Sequence, residues 1–198
     1  MVATIEIKQG YGGSDGSPSE LPASGDVDQR LQTKDQYDPA DSTYPVPIPP
    51  SGFKYSFWVH IYLKIAGGTF TKINNVQFYT DGTIGWSLGT NGEIRRGNRD
   101  SGDKGCPMDA SYEKATGTDG DTGDTIEDAT NGHGYYKGQT TKTTNIQSDV
   151  VGTPATIDST DHTATGKCKA VVLQGKVASD ATRGTKADET LTFKFNEI

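Results

Sequence analysis

The chain has 198 residues, enough for one β domain or a small domain with long appendages. Hydrophobic residues make up only 31%, so a core must be concentrated in a few segments, while a charged content of 23% argues against wholesale disorder. A net charge of −7 excludes the broad basic surface that phosphate binding needs, and no apolar run approaches the roughly 20 residues of a membrane-spanning helix.

Residues 1–9 alternate instead of forming the apolar heart of a signal peptide, so synthesis in a cytoplasm is expected. Over residues 2–8, Ala3, Ile5 and Ile7 alternate with Val2, Thr4 and Glu6, which predicts a short strand with the first set inward. Residues 10–25 are rich in Gly, Ser and Pro and predict a linker or exposed loop. Residues 26–41 are polar and show no sustained period. Tyr44, Val46 and Ile48 then interleave with prolines. Proline fixes φ near −65° and removes a donor, so this segment is extended and cannot be a central strand. It reads as a stiff lead-in, or as a docking strip laid on a neighbouring subunit.

Residues 53–65 carry the strongest signal. Phe53, Tyr55, Phe57, Val59, Ile61, Leu63 and Ile65 alternate with Lys54, Ser56, Trp58, His60, Tyr62 and Lys64. Period two over such residue types predicts one long strand. Its second face, with Trp58, His60 and Tyr62, is too aromatic for open solvent and is expected to be covered by a loop or another chain. Gly67 and Gly68 allow a turn into a strand at 73–80. Asp81-Gly82 and Asn91-Gly92 are hairpin signals, which extends the reading to an antiparallel meander over 53–95 with a strand at 83–88. Arg95, Arg96 and Arg99 form the dense basic cluster of the chain, expected to be a solvated turn, or else a local salt-bridge or partner contact.

From 97 to 152, Gly, Asp, Thr and Ser dominate. This stretch predicts an elaborated surface loop anchored by Tyr135, Tyr136 and Ile146, with short strands near 111–114 and 135–140. Order returns with an apolar strand at 168–177 and a half-buried strand at 189–197, where Leu191, Phe193 and Phe195 face inward. With roughly seven to nine short strands and no long helix, the fold class is all-β: an antiparallel β-sandwich of jelly-roll or immunoglobulin-like type. Residues 1–52 read as an N-terminal strand plus an extended arm, and 53–198 as the sandwich domain.

Chemistry is sparse. No nucleophile elbow, phosphate loop or dinucleotide fingerprint is present, and the histidines His60, His133 and His162 stand in unrelated contexts. The acidic residues cluster in Gly-rich loops, where little raises a carboxyl pKa, so a hydrolase is the weakest reading. Asp119, Asp121 and Asp124 lie on one flexible loop and resemble a calcium-like oxygen site without the EF-hand spacing; a solvated acidic loop is the plainer reading. No other cofactor is expected. Cys106 and Cys168 lack a CxxC or a nearby His pair, which speaks against zinc. They read as free thiols, or as a disulfide closing a long loop.

Several stretches resemble structural proteins of the virions of tailed bacterial and archaeal viruses. They are Pro-Ile-Pro-Pro-Ser-Gly at 47–52, Tyr-Ser-Phe-Trp at 55–58 and Phe-Tyr-Thr-Asp-Gly at 78–82, together with Val-Val-Leu-Gln at 171–174 and Glu-Thr-Leu-Thr-Phe-Lys-Phe-Asn-Glu at 189–197. The resemblance implies a β-sandwich virion component such as a capsid decoration protein, bound to a major capsid or other virion protein and to copies of itself, with no catalytic role. Tyr44, Val46, Ile48, Trp58, His60 and Tyr62 are then the expected interface. The alternative is a carbohydrate- or receptor-binding sandwich, with Trp58, Tyr62 and Trp86 stacking on a glycan and the acidic loop holding calcium.

Overall fold

Alternating and β-branched segments dictate strands throughout, and no α-helix occurs among the residues described, which are 2–20, 30–37, 43–184, 186 and 188–198 of a computed structural model. The strands are β1 (Ala3–Ser14), β2 (Ser17–Glu20), β3 (Phe53–Tyr55), β4 (Val59–Gly68), β5 (Ile73–Tyr79), β6 (Glu93–Gly97), β7 (Gly117–Thr118), β8 (Thr122–Gly123), β9 (Thr143–Asn145), β10 (Ala155–Asp158), β11 (Gly166–Lys167), β12 (Val171–Ala178) and β13 (Thr192–Glu197). Every ladder among them is antiparallel. The large sheet runs β2-β1-β4-β12-β6-β9, with β11 also on β4 and β3 also on β12; the small sheet runs β10-β5-β13.

The two sheets pack face to face. Val59, Ile61, Leu63 and Ile65 of β4 and Val171 and Leu173 of β12 meet Ile73, Val76 and Phe78 of β5 and Ile157 of β10 in one core. The chain is therefore an all-β antiparallel sandwich, as its patterning predicts. A third, irregular layer lies on the other face of the large sheet. Cys106, Met108, Tyr112, Ala115, Ile126 and Tyr136 bury themselves there against Phe57, Trp58, Tyr62 and Val172.

Several boundaries differ from the expectation. Residues 10–20 are not a linker: β1 continues to Ser14 and turns through Gly16 into β2. Because β1 pairs with β4 from Ala3↔Gly68 to Gly10↔His60 and with β2 beyond it, residues 3–20 belong to the large sheet, while Leu31, Val46 and Ile48 pack on the core without forming a strand. The rest of the expected linker, 21–25, lies outside the described residues. The long strand at 53–65 is interrupted at 56–58. Both β3 and β4 pair with β12, but three residues on one side face two on the other between Lys176↔Tyr55 and Leu173↔Val59. Gly175 N–H donates to Ser56 Oγ at 2.8 Å and fills the gap in the ladder. A bulge of this kind shifts the alternation by one residue. Phe57 consequently leaves the inter-sheet core and joins Trp58 on the other face, and Phe53 is 38% exposed.

The meander over 53–95 also fails, because β4 and β5 lie in different sheets and β5 and β6 do not pair. Residues 83–88 form no strand; Asp81 Oδ1 accepts from Thr83 N–H at 2.8 Å, so Asp81-Gly82 closes a local turn rather than a hairpin. Neither 111–114 nor 135–140 is a strand; the short ladder in that region is β7–β8.

Candidate functional site

The face of the large sheet that carries Trp58, His60 and Tyr62 is where the chemistry-bearing residues collect. These three side chains are 2%, 1% and 0% exposed, covered by the chain's own third layer. His60 sits mid-sheet, with Gly10 of β1 on one side and Val172 of β12 on the other. The space that a Cβ at Gly10 would take is filled by the end of the Met108 side chain, whose Cε lies 2.5 Å from that position. Trp58 Nε1–H donates to Glu113 O at 3.0 Å and so ties the layer to the sheet.

Two turns deliver the partners of His60. Cys106 exchanges both backbone hydrogen bonds with Ala170, each 2.8 Å, just before β12. Asp128 Oδ1 accepts from Thr130 and Asn131 N–H and folds a tight turn that ends in His133, whose own N–H donates to Ile126 O at 3.0 Å. The result brings His60 Nε2 to 3.0 Å from His133 Nε2, with Cys106 Sγ 4.0 Å from the same nitrogen. The rings of Trp58, Tyr112 and Tyr136 enclose the pair at centroid distances of 5.6 Å to His133, 4.5 Å to His60 and 5.2 Å to His133 respectively.

Burial sets the protonation. It holds His60 well below the usual histidine range, helped by His133, and holds His133 down to about 3, helped by Lys137. Burial likewise pushes the Cys106 thiol well up. The proton inventory follows from the partners. His133 Nδ1 accepts from Tyr135 N–H at 3.3 Å, so the ring proton lies on Nε2 and is donated to His60. The Cys106 thiol donates to Ser111 O at 3.2 Å.

Among the described residues, a second group of three ligand atoms within 4.8 Å joins Asp158, His162 and Cys168. Asp158 Oδ2 accepts from His162 Nε2–H at 2.9 Å and from Lys169 N–H at 2.9 Å, and Oδ1 accepts from Thr160 N–H at 3.0 Å. Burial works to raise the Asp158 carboxyl, but the hydrogen bonds from Lys169 N–H, from Thr160 and from His162 together outweigh it and hold it below the usual carboxylate range. Cys168 is buried, its thiol pushed up to about 12, so it is no ready nucleophile.

The other expected sites are not assembled. Asp121 pairs with Lys54 and Asp119 lies 3.8 Å from Lys34, on a hairpin turn between β7 and β8. Asp119, Asp121 and Asp124 do not converge into the expected calcium-like site, because the short ladder spreads them around the turn and lysines take two of them. Cys106 and Cys168 are both free. They point into different clusters, Cys106 beneath the third layer and Cys168 into the inter-sheet core, which accounts for the missing bridge. Tyr44, Val46 and Ile48 lie on the chain itself: Val46 and Ile48 pack on the core, and Tyr44 O accepts from Thr33 N–H at 2.8 Å. Trp58, His60 and Tyr62 are internal, so they form neither an assembly surface nor a sugar platform, and Trp86 packs half-buried on the core.

Arg95 and Arg96 are buried rather than solvated. Arg96 makes a two-pronged pair with Asp149, at 2.5 and 2.9 Å, and Arg95 pairs with Glu127 and donates to Gln174 Oε1 at 2.8 Å. The His60, His133 and Cys106 cluster was missed because its histidines stand 73 positions apart and the thiol 27 from His133, with no local motif. The aromatic second face of 53–65 is the one sequence signal that points to it. Compared with known proteins, the chain matches no family model, no curated protein sequence and no solved structure.

Proposed function

We propose that this chain is a non-catalytic structural subunit that adds to a larger protein assembly, and that the assembly is a virion surface of the kind its sequence resembles. The observation that carries this reading is the open side of the small sheet. Strand β13 pairs with β5 on one edge and, among the described residues, with no strand on the other. At the end of β5 and the start of β13 lies a groove of about 390 Å³ lined by Tyr79, Thr80, Asp81, Val150, Val151, Thr190 and Thr192, with Val151 70% exposed. An unpaired edge next to a groove of mixed threonine, valine and tyrosine lining fits one kind of occupant, an extended segment of a neighbouring subunit, whose backbone adds a strand while its side chains reach the groove.

The chemistry-bearing groups support the non-catalytic part. Histidines kept neutral and out of water, and thiols kept protonated, are poor acids, bases and nucleophiles at neutral pH. The assembly surface is thus assigned to the β13 edge and not to Trp58, His60 and Tyr62. The experiment is imaging of the native source by electron microscopy, paired with light scattering on the purified chain and on Val151→Asp. The reading expects the chain in a symmetric particle, and a folded Val151→Asp that no longer incorporates. A chain found free and monomeric in its native source overturns it.

A further inference from the structure

The three ligand atoms of the buried cluster are two imidazole nitrogens and one thiol, within 4.8 Å of one another, all on residues almost wholly removed from water. Nitrogen and sulfur at these positions suit a borderline or soft transition metal and not calcium or magnesium. Ligand atoms around one such ion stand roughly 3.3–3.8 Å apart, given metal distances of about 2.0–2.3 Å. The observed 3.0 Å between the nitrogens and 4.0 Å from sulfur to the His133 nitrogen straddle that range, and the sulfur lies within 4.8 Å of the His60 nitrogen, so rotations of side chains already in contact would bring the three ligand atoms around one ion.

We infer that His60, His133 and Cys106 form a binding site for a single copper(I) ion, sealed beneath the third layer. Two observations select copper(I) from the soft metals. The group offers three ligands and no solvent, which suits a three-coordinate ion, whereas structural zinc takes four ligands. One thiolate cancels one positive charge, so copper(I) leaves the dry interior neutral, whereas a divalent ion would leave one uncompensated charge there. The outside charges that reach Cys106, from Glu113 and Arg99, oppose each other and do not supply the difference.

Binding balances as follows. The ion displaces the thiol proton, which is released to solvent, and a copper–sulfur bond forms with no change of oxidation state. The His133 proton moves from Nε2 to Nδ1, freeing Nε2 as a ligand and ending the bond from Tyr135 N–H. One proton leaves per ion. The Asp158 group is the weaker candidate, because two backbone N–H groups already occupy its carboxylate and Lys169 Nζ stands 3.7 Å away.

The test uses the full chain, refolded anaerobically with reductant and one equivalent of copper(I) supplied as its bicinchoninate complex, then desalted. One copper per chain is expected, with one sulfur and two nitrogen neighbours by X-ray absorption and a raised melting temperature. Cys106→Ser should lose affinity by more than about tenfold, while His162→Gln retains it. If Cys106→Ser does not fold, the absorption spectrum of the unaltered chain decides. A folded chain that holds no copper, a copper shell without sulfur, or retention of zinc(II) in preference to copper(I) in a parallel refolding overturns the inference.

Discussion

At the scale of single residues, the account rests on close approaches that leave no slack. A Cβ at Gly97 would lie 2.3 Å from a ring carbon of Tyr136. Gly97→Ala is therefore expected to cost about 1–3 kcal/mol, read as a lower denaturant midpoint with an unchanged slope. Asp149 and Arg96 are both nearly buried and paired by two hydrogen bonds. Asp149→Ala strands a buried guanidinium and should cost about 3–5 kcal/mol, with Arg96→Met restoring much of that in the double variant. The two inner histidines set a pH dependence. Their folded pKa values lie below the ordinary 6.5, so the unfolded chain binds protons first as pH falls. Stability is then fully present above about pH 6.5 and is lost progressively as pH drops towards the His133 value of about 3. Denaturant melts at pH 7.5, 6 and 5 check this; a flat profile over that interval would contradict neutral, buried rings.

At the scale of elements, the strands with uninterrupted alternation were readable from the residues alone. Val59 to Ile65 lie where period two puts them, the apolar run at 168–177 contains most of β12, and Tyr136 and Ile146 anchor the irregular stretch as expected. What the residues did not disclose is where alternation breaks. Ser56 and Asn75, the latter at φ 51°, each mark an irregularity that moves the following side chains to the other face, and nothing in a short window distinguishes these from ordinary strand positions. Tight-turn signals misled for a related reason. Asp81-Gly82 does turn, but whether the next segment pairs back depends on which sheet it meets, and that is a long-range matter. A cover over the aromatic face was legible, but the residues that build it were not, because their burial comes from dispersed single side chains such as Tyr112, Ile126 and His133 with no period between them. That layer should behave as structure and not as loop. The amides of His133 and Tyr136, both hydrogen-bonded within it, are expected to exchange with deuterium as slowly as those of β12.

At the scale of the whole molecule, a two-sheet sandwich with a third covering layer leaves two surfaces of unlike character. One face of the large sheet is closed by its own chain, and among the described residues one edge of the small sheet is unpaired at β13. The proposed assembly role belongs to the open edge, and the proposed copper site to the closed face. Both depend on the closure being real, because an uncovered Trp58 and His60 would make that face an interface or a wet, open cluster. The indole N–H of Trp58 reports this directly, since it donates to Glu113 O at 3.0 Å beneath the layer. Hydrogen exchange of that proton, followed by NMR on the isolated chain, is predicted to be as slow as exchange of the central β4 amides. Exchange complete within the first spectrum, with β4 still protected, would contradict it.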